Sequence, residues 1–207
     1  MKLDSPETIN LALDRVAQRL GFAEKRYAVV VIGGAAINLR GIVRRDTTDV
    51  DILAFGVRGT DRVSFELEEP PTPVPAPLQR AIDAVARDLT LDAHWMNTGP
   101  ALQWQQGLPP GLAGRVEWRH YGPADTPEFG LDVGLVSRYD LIFFKLYAAA
   151  DHATTRSVHY KDLMALRPTN EELDDAAAWV RPLDAAPEFH EIVDQLVAYV
   201  RNQLRHA

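Results

Sequence analysis

The run Tyr27 to Ile32 (YAVVVI) is apolar and rich in β-branched residues, with no polar alternation. A strand with one wet face alternates. A strand covered on both faces reads as a continuous apolar run, which is the pattern of an interior strand in an α/β sheet. The run stops at Gly33-Gly34, and the following Ala35 to Gly41 (AAINLRG) predicts a short helix. Thr48 to Phe55 (TDVDILAF) predicts a second strand. Side chains alternate along a strand, so Asp49 and Asp51 are expected on one face.

The rest of the chain fits a mixed α/β domain followed by helices. Ser5, Pro6 and Glu7 make a helix start, and Ile9, Leu13, Val16 and Leu20 follow at helical spacing. Glu68 to Pro77 (EEPPTPVPAP) holds five prolines, which excludes a regular helix or central strand. A surface loop is expected there, then a helix over Leu78 to Leu91. Arg115 to Tyr121 and Phe129 to Val136 predict further strands. Beyond them the pattern is helical. Ser137 with Asp140 opens an apolar helix through DLIFFKLYAAAD, and His159 to Leu166 predicts a second. Thr169 with Glu172 forms a capping box for a third, and Glu188 to Leu204 carries the stripe of the last.

Composition removes several function classes. The 207 residues include no cysteine, so disulfides, thiolate metal sites and cysteine nucleophiles are ruled out. No run of 18 apolar residues occurs, so no membrane-spanning helix is expected. The first ten residues, MKLDSPETIN, are polar and unlike a secretory signal, and a cytoplasmic location is the expectation. With 22 basic against 29 acidic residues the net charge is −7, which disfavours broad non-specific binding to nucleic acid. A local basic patch is still compatible with that charge, and Arg40, Arg44 and Arg45 form one.

The diglycine and the two aspartates belong together chemically. Glycines let a backbone approach a ligand closely, and free N–H groups at a helix start favour phosphate. Two adjacent carboxylates repel each other, and a divalent cation relieves the repulsion. Mg²⁺ uses one or two carboxylates plus phosphate oxygens of a substrate. Asp49 and Asp51 are therefore candidate ligands for Mg²⁺ (or Mn²⁺), beside a turn suited to a nucleoside triphosphate. The plainer alternatives are acids at an exposed strand end and a tight turn. For Lys145 the alternatives are a cation facing a triphosphate and a lysine whose stem packs while its ammonium reaches water. Lys161-Asp162 reads otherwise as a solvated helix face. His152 and His159, on either side of Arg156, read as surface histidines.

The segment from Gly33 to Asp51 resembles the first motif of the nucleotidyltransferase superfamily with a DNA polymerase beta-like fold. The closer likeness is to bacterial members of the form GG-x-A…R-x-T-x-D-[IV]-D, matched by Gly33, Gly34, Ala36, Arg45, Thr47, Asp49, Val50 and Asp51. Those members include minimal, toxin-type enzymes of abortive-infection systems and stand-alone proteins. Lys145, Lys161 and Asp162 resemble the family's downstream lysine helix and its KD motif. Trp95-Met96-Asn97 is similar to a Trp-Leu-Asn signature of one subgroup. The chain departs from the family pattern at Gly34, where a serine is usual, and at Ala165, where a second acid is usual. Asp132 and Glu117 are the candidates for a third carboxylate.

The resemblance implies a nucleotidyltransferase-like mixed sheet flanked by helices over 1–136, with a C-terminal helical region over 137–207 packed on it. It implies Mg²⁺-dependent transfer of a nucleoside monophosphate from a nucleoside triphosphate to a hydroxyl or phosphate acceptor, such as tRNA or a protein. Asp49 and Asp51 would hold the metal, and Lys145 and Asp162 would join them in catalysis. Gly33, Gly34, Arg45 and Thr47 would bind the nucleotide. The toxin-type members imply a cognate antitoxin as partner. The alternative of a different class is a catalytically degenerate nucleotide-binding or protein-interaction module of the same fold.

Overall fold

The computed structural model describes residues 1–59, 65–152 and 157–206. The chain divides into two compact units, Met1–Val136 and Ser137–Ala207. The first contains α1 (Pro6–Phe22), β1 (Arg26–Ile32), α2 (Gly33–Leu39), β2 (Val50–Arg58) and β3 (Phe65–Glu68). It continues with α3 (Ala76–Leu89), β4 (Met96–Asn97), α4 (Leu102–Gln106), β5 (Glu117–Tyr121) and β6 (Gly130–Leu135). The second contains α5 (Arg138–Asp151), α6 (Val158–Ala165), α7 (Asn170–Val180) and α8 (Pro187–Arg205).

Among the described residues the strands form one mixed, open sheet in the order β3-β2-β1-β6-β5. β1 runs antiparallel to β2 and parallel to β6, and β5 is antiparallel to β6. The unalternating run behaves as expected: β1 is interior, and Val29, Val30 and Val31 are fully buried. Two short strands share the outer edge of β2. β4 pairs in parallel with Val50 and Asp51, and β3 pairs with Phe55 to Arg58. The carboxylate-bearing end of β2 is thus flanked on both sides by backbone.

The register assigns the two sheet faces. Val29, Val31, Val133 and Leu135 share one face with Arg119 and Tyr121. The Tyr121 hydroxyl donates to Asn10 in α1 at 2.7 Å, and an Arg119 guanidinium nitrogen donates to the Leu39 carbonyl at the end of α2 at 3.0 Å. Both helices therefore cover this face. Asp51 is paired with Ile32, which points the other way, and Ala28, Val30, Gly134, Trp118, His120 and Asp132 share that second face.

Local chemistry explains the element starts. The Ser5 hydroxyl accepts from the Thr8 N–H, Pro6 occupies the first turn, and Ile9, Leu13, Val16 and Leu20 bury the predicted stripe. Burial of each such side chain contributes about 1.5–3 kcal/mol relative to exposure. In the helical unit Ser137, Ser157 and Thr169 cap α5, α6 and α7. Phe143 and Phe144 pack on Trp179, and α8 buries Phe189, Val193, Val197 and Val200. No helix among the described residues is long and apolar enough to cross a membrane.

Two boundaries differ from expectation in ways that matter for the site. α2 begins on the glycines themselves rather than after them. β2 begins at Val50, whose N–H donates to the Trp95 carbonyl at 2.6 Å, so Asp49 precedes the strand.

Candidate functional site

Gly33 takes φ +72°, a left-handed conformation that side chains rarely adopt. A Cβ there would come within 2.5 Å of an Asp51 carboxylate oxygen. At Gly34 a Cβ would meet a terminal nitrogen of Arg45 at 2.6 Å and the Thr47 hydroxyl oxygen at 2.7 Å. The expectation was that these glycines leave room for a ligand. The space on their Cβ side is taken instead by Asp51, Arg45 and Thr47. Glycine is required at both positions so that three predicted site residues can close on the bend.

Asp49 reaches the same bend through hydroxyls. Thr47 donates to one Asp49 carboxylate oxygen at 3.4 Å and to the Asp49 carbonyl at 3.3 Å. Thr48 donates to the other carboxylate oxygen at 3.2 Å. Strand alternation therefore does not place Asp49, because it lies outside the strand. A pair of threonine hydroxyls orients it, and the Thr47 oxygen in turn lies against Gly34. Thr47 is itself fixed by a bridge to Leu3, whose carbonyl accepts from the Thr47 N–H at 3.1 Å.

Asn38 was not singled out in the sequence, yet it holds this loop to α2. It is completely buried. Its side-chain amide donates to the carbonyls of Arg45 at 2.8 Å and Gly34 at 3.2 Å, and its side-chain oxygen accepts from the Arg45 N–H at 3.1 Å. A buried primary amide in a helix normally signals a partner of this kind, since leaving it unpaired is costly. Asn97 was also missed as a site residue. It lies opposite Asp51 in the β2–β4 pair and donates to the second Asp51 carboxylate oxygen at 3.4 Å.

The three arginines predicted as a patch go separate ways. Arg45 folds onto Gly34 and also donates to the Asp46 carbonyl at 2.7 Å. Arg40 is directed to the end of β6, where it donates to the Leu135 and Val136 carbonyls and meets Glu117 at 3.3 Å. Arg44 is exposed and pairs with Glu7 at 3.1 Å.

Neither candidate for a third carboxylate stands beside Asp51. Glu117 pairs with Leu135, on the face covered by α2, and Arg119 and Arg40 hold its carboxyl below the ordinary range against weak desolvation. Asp132 does share the face of Asp51, but it pairs with Ala28 rather than Ile32. Four residues of strand make that about 13 Å. The β6 residue nearer the site on this face is Gly134, which has no side chain to offer. Burial raises the Asp132 pKa, but the Arg26 and His120 hydrogen bonds outweigh it and leave the carboxyl below its usual value.

No family model, curated protein or solved structure matches the chain.

Lys145 and Asp162 lie in the helical unit. Both are almost fully buried, and the Lys145 ammonium stands 2.7 Å from the Asp162 carboxylate. Lys145 does not carry its charge to water, and Asp162 does not sit on a solvated face, although its neighbour Lys161 is exposed. His152 and His159 lie with ring centroids 4.7 Å apart, and Arg156 lies outside the described residues. Among the described residues no group of three or more histidines or acids is arranged to hold a metal. A cation of the magnesium type takes one or two carboxylates and completes its shell with water and substrate oxygens, and Asp51, with Asp49 nearby in the chain, would be the residues to hold it. The bare Gly33 supports that fit, because it leaves room for the Asp51 carboxylate beside the bend.

Proposed function

We propose that this chain is a Mg²⁺-dependent nucleotidyltransferase acting through Asp49 and Asp51. The observation that supports the proposal is the approach of the Asp51 carboxylate to Gly33, with Asp49 accepting from the Thr47 hydroxyl that lies beside Gly34. Two anionic groups would then serve one backbone bend at the end of the sheet. Asp49 and Asp51 would hold the cation, which offsets the charge of the phosphates and polarises the phosphorus under attack. Arg45 adds a fixed positive charge beside Gly34, suited to phosphate oxygens. In the reaction an acceptor oxygen bonds to the α-phosphorus as the bond to pyrophosphate breaks. The acceptor class is a hydroxyl or phosphate of tRNA, a protein or a small molecule. A toxin role with a cognate antitoxin is part of the same proposal and rests on the resemblance alone. Lys145 and Asp162 pair with each other within the helical unit, and the proposal does not depend on them.

The test is a labelled-nucleotide transfer assay on total RNA and protein, with the Asp49→Ala, Asp51→Ala double variant as control. Transfer by the native chain and its loss in a folded double variant is the expected result. Equal transfer by both would overturn the proposal.

One observation favours a second function. Among the described residues β6 brings no third acid near Asp51, since Gly134 and the distant Asp132 occupy its positions on that face. A nucleotide-binding module without catalysis fits that absence among the described residues. Calorimetry with a nucleoside triphosphate and Mg²⁺ separates the two: saturable binding with no transfer to any acceptor favours the module.

A further inference from the structure

We infer that Asn97 is a positioning residue that fixes the metal-binding orientation of Asp51, an inference that rests on the proposed metal site. Three observations place it. First, Asn97 is directly opposite Asp51 in the parallel β2–β4 pair, so their side chains emerge on the same face. Second, the Gly99 N–H donates to the Asn97 side-chain oxygen at 2.8 Å. A backbone N–H can only donate, so this bond decides which end of the amide faces Gly99 and turns the NH₂ group the other way. Third, that NH₂ group donates to the Asp51 Oδ1 at 3.4 Å and to the His94 carbonyl at 3.4 Å.

Asn97 donates to Oδ1, while Oδ2 occupies the space that a side chain at Gly33 would fill. A neutral donor suits this place. It favours the charged carboxylate without adding a cation that would compete with a metal. The support beneath Asn97 is rigid. Trp95 is fully buried and its indole N–H donates to the Ile82 carbonyl at 3.2 Å, Met96 is buried, and the Trp95 carbonyl accepts from the Val50 N–H at 2.6 Å. β4 has only two residues, so its pairing does little for the sheet as a whole. What it does is set one amide beside one carboxylate.

Groups that orient a metal ligand typically change metal affinity or activity about 10- to 100-fold when removed. The probe is Mn²⁺, titrated into the full chain and followed by electron paramagnetic resonance. Asn97→Ala removes all three side-chain contacts. Asn97→Ser keeps a short oxygen for the Gly99 N–H but cannot reach Asp51, so it guards against a simple folding defect. The expected result is a Mn²⁺ dissociation constant raised about tenfold in the serine variant. Its thermal midpoint stays near that of the native chain, and its nucleotide KM at saturating metal is unchanged. Native Mn²⁺ affinity in Asn97→Ser, alongside weakened binding in Asp51→Asn, would overturn the inference and leave the metal site standing. Native affinity in Asp51→Asn as well would remove the metal site and the role of Asn97 with it.

Discussion

Lys145 of α5 and Asp162 of α6 form a 2.7 Å ion pair from which water is nearly absent, with side chains 6% and 1% exposed. Desolvation makes such a pair a poor source of net stability, but removing one partner strands a buried charge. We expect Lys145→Met or Asp162→Leu alone to cost about 3–5 kcal/mol. The double replacement should be close to neutral or stabilising. Urea unfolding of the three variants measures this. Additive losses in the double variant would show that the two groups do not act as a pair.

The two glycines should respond differently to alanine. At Gly33 the backbone strain of about 1–3 kcal/mol adds to a collision with the Asp51 carboxylate. At Gly34 the backbone is ordinary, and the colliding atoms include the far end of a flexible Arg45 side chain. Gly33→Ala is therefore expected to lower the unfolding midpoint more than Gly34→Ala. Both should weaken nucleotide binding, through Asp51 in one case and Arg45 in the other. Equal stability of the two variants would contradict the assignment of strain to Gly33.

Asn38→Leu should loosen the Arg45–Thr47 loop without touching either carboxylate. The substitution leaves the Gly34 and Arg45 carbonyls and the Arg45 N–H without their side-chain partner. Unsatisfied buried groups cost about 1–3 kcal/mol each, and some will recover a water. A net loss of about 2–4 kcal/mol is expected on that basis. Hydrogen exchange should quicken at Arg45 and Thr47 first. Exchange that rises uniformly over the first unit, with no early loss in the loop, would argue against a local clamp.

What the residues disclosed unaided depended on whether the cause was local. β1 could be read because burial on both faces suppresses polar residues along the whole run. The starts of α1 and α7 could be read because a capping hydroxyl and its N–H partner are three residues apart. Asp49 was assigned to a strand because alternation extends a pattern by two residues at no cost. The Thr47 and Thr48 hydroxyls that actually orient it have no periodicity. Asn97 entered only through the Trp95-Met96-Asn97 likeness and without a site role, since a two-residue strand has no pattern. Asn38 carries no signal of its own in a short helix, because the loop that accepts its hydrogen bonds folds back only in three dimensions. Lys145 and Asp162 meet across two helices, so spacing along the chain carries no information about their pairing.

Asp132 should make the first unit sensitive to acid. Its carboxylate receives a two-pronged bond from Arg26 at 2.7 and 2.8 Å and lies 3.0 Å from His120 Nδ1. Burial opposes the charge, but these partners win, so the folded pKa lies below the unfolded value. A depressed carboxylate pKa contributes stability that is fully present above the unfolded pKa of about 3.9. That contribution falls away as the pH drops through the folded pKa. Asp132→Asn should therefore lose stability at neutral pH and show a flatter dependence below about pH 4. The neutral-pH loss is set near 3 kcal/mol, the lower end for breaking a buried pair, because the Arg26 side chain is 23% exposed and recovers some water. Urea midpoints of both proteins between about pH 7 and pH 2.5 give the two curves. They should converge on acidification, as protonation deprives the native chain of the same interaction. Curves that stay parallel throughout would mean that Asp132 is not the titrating group.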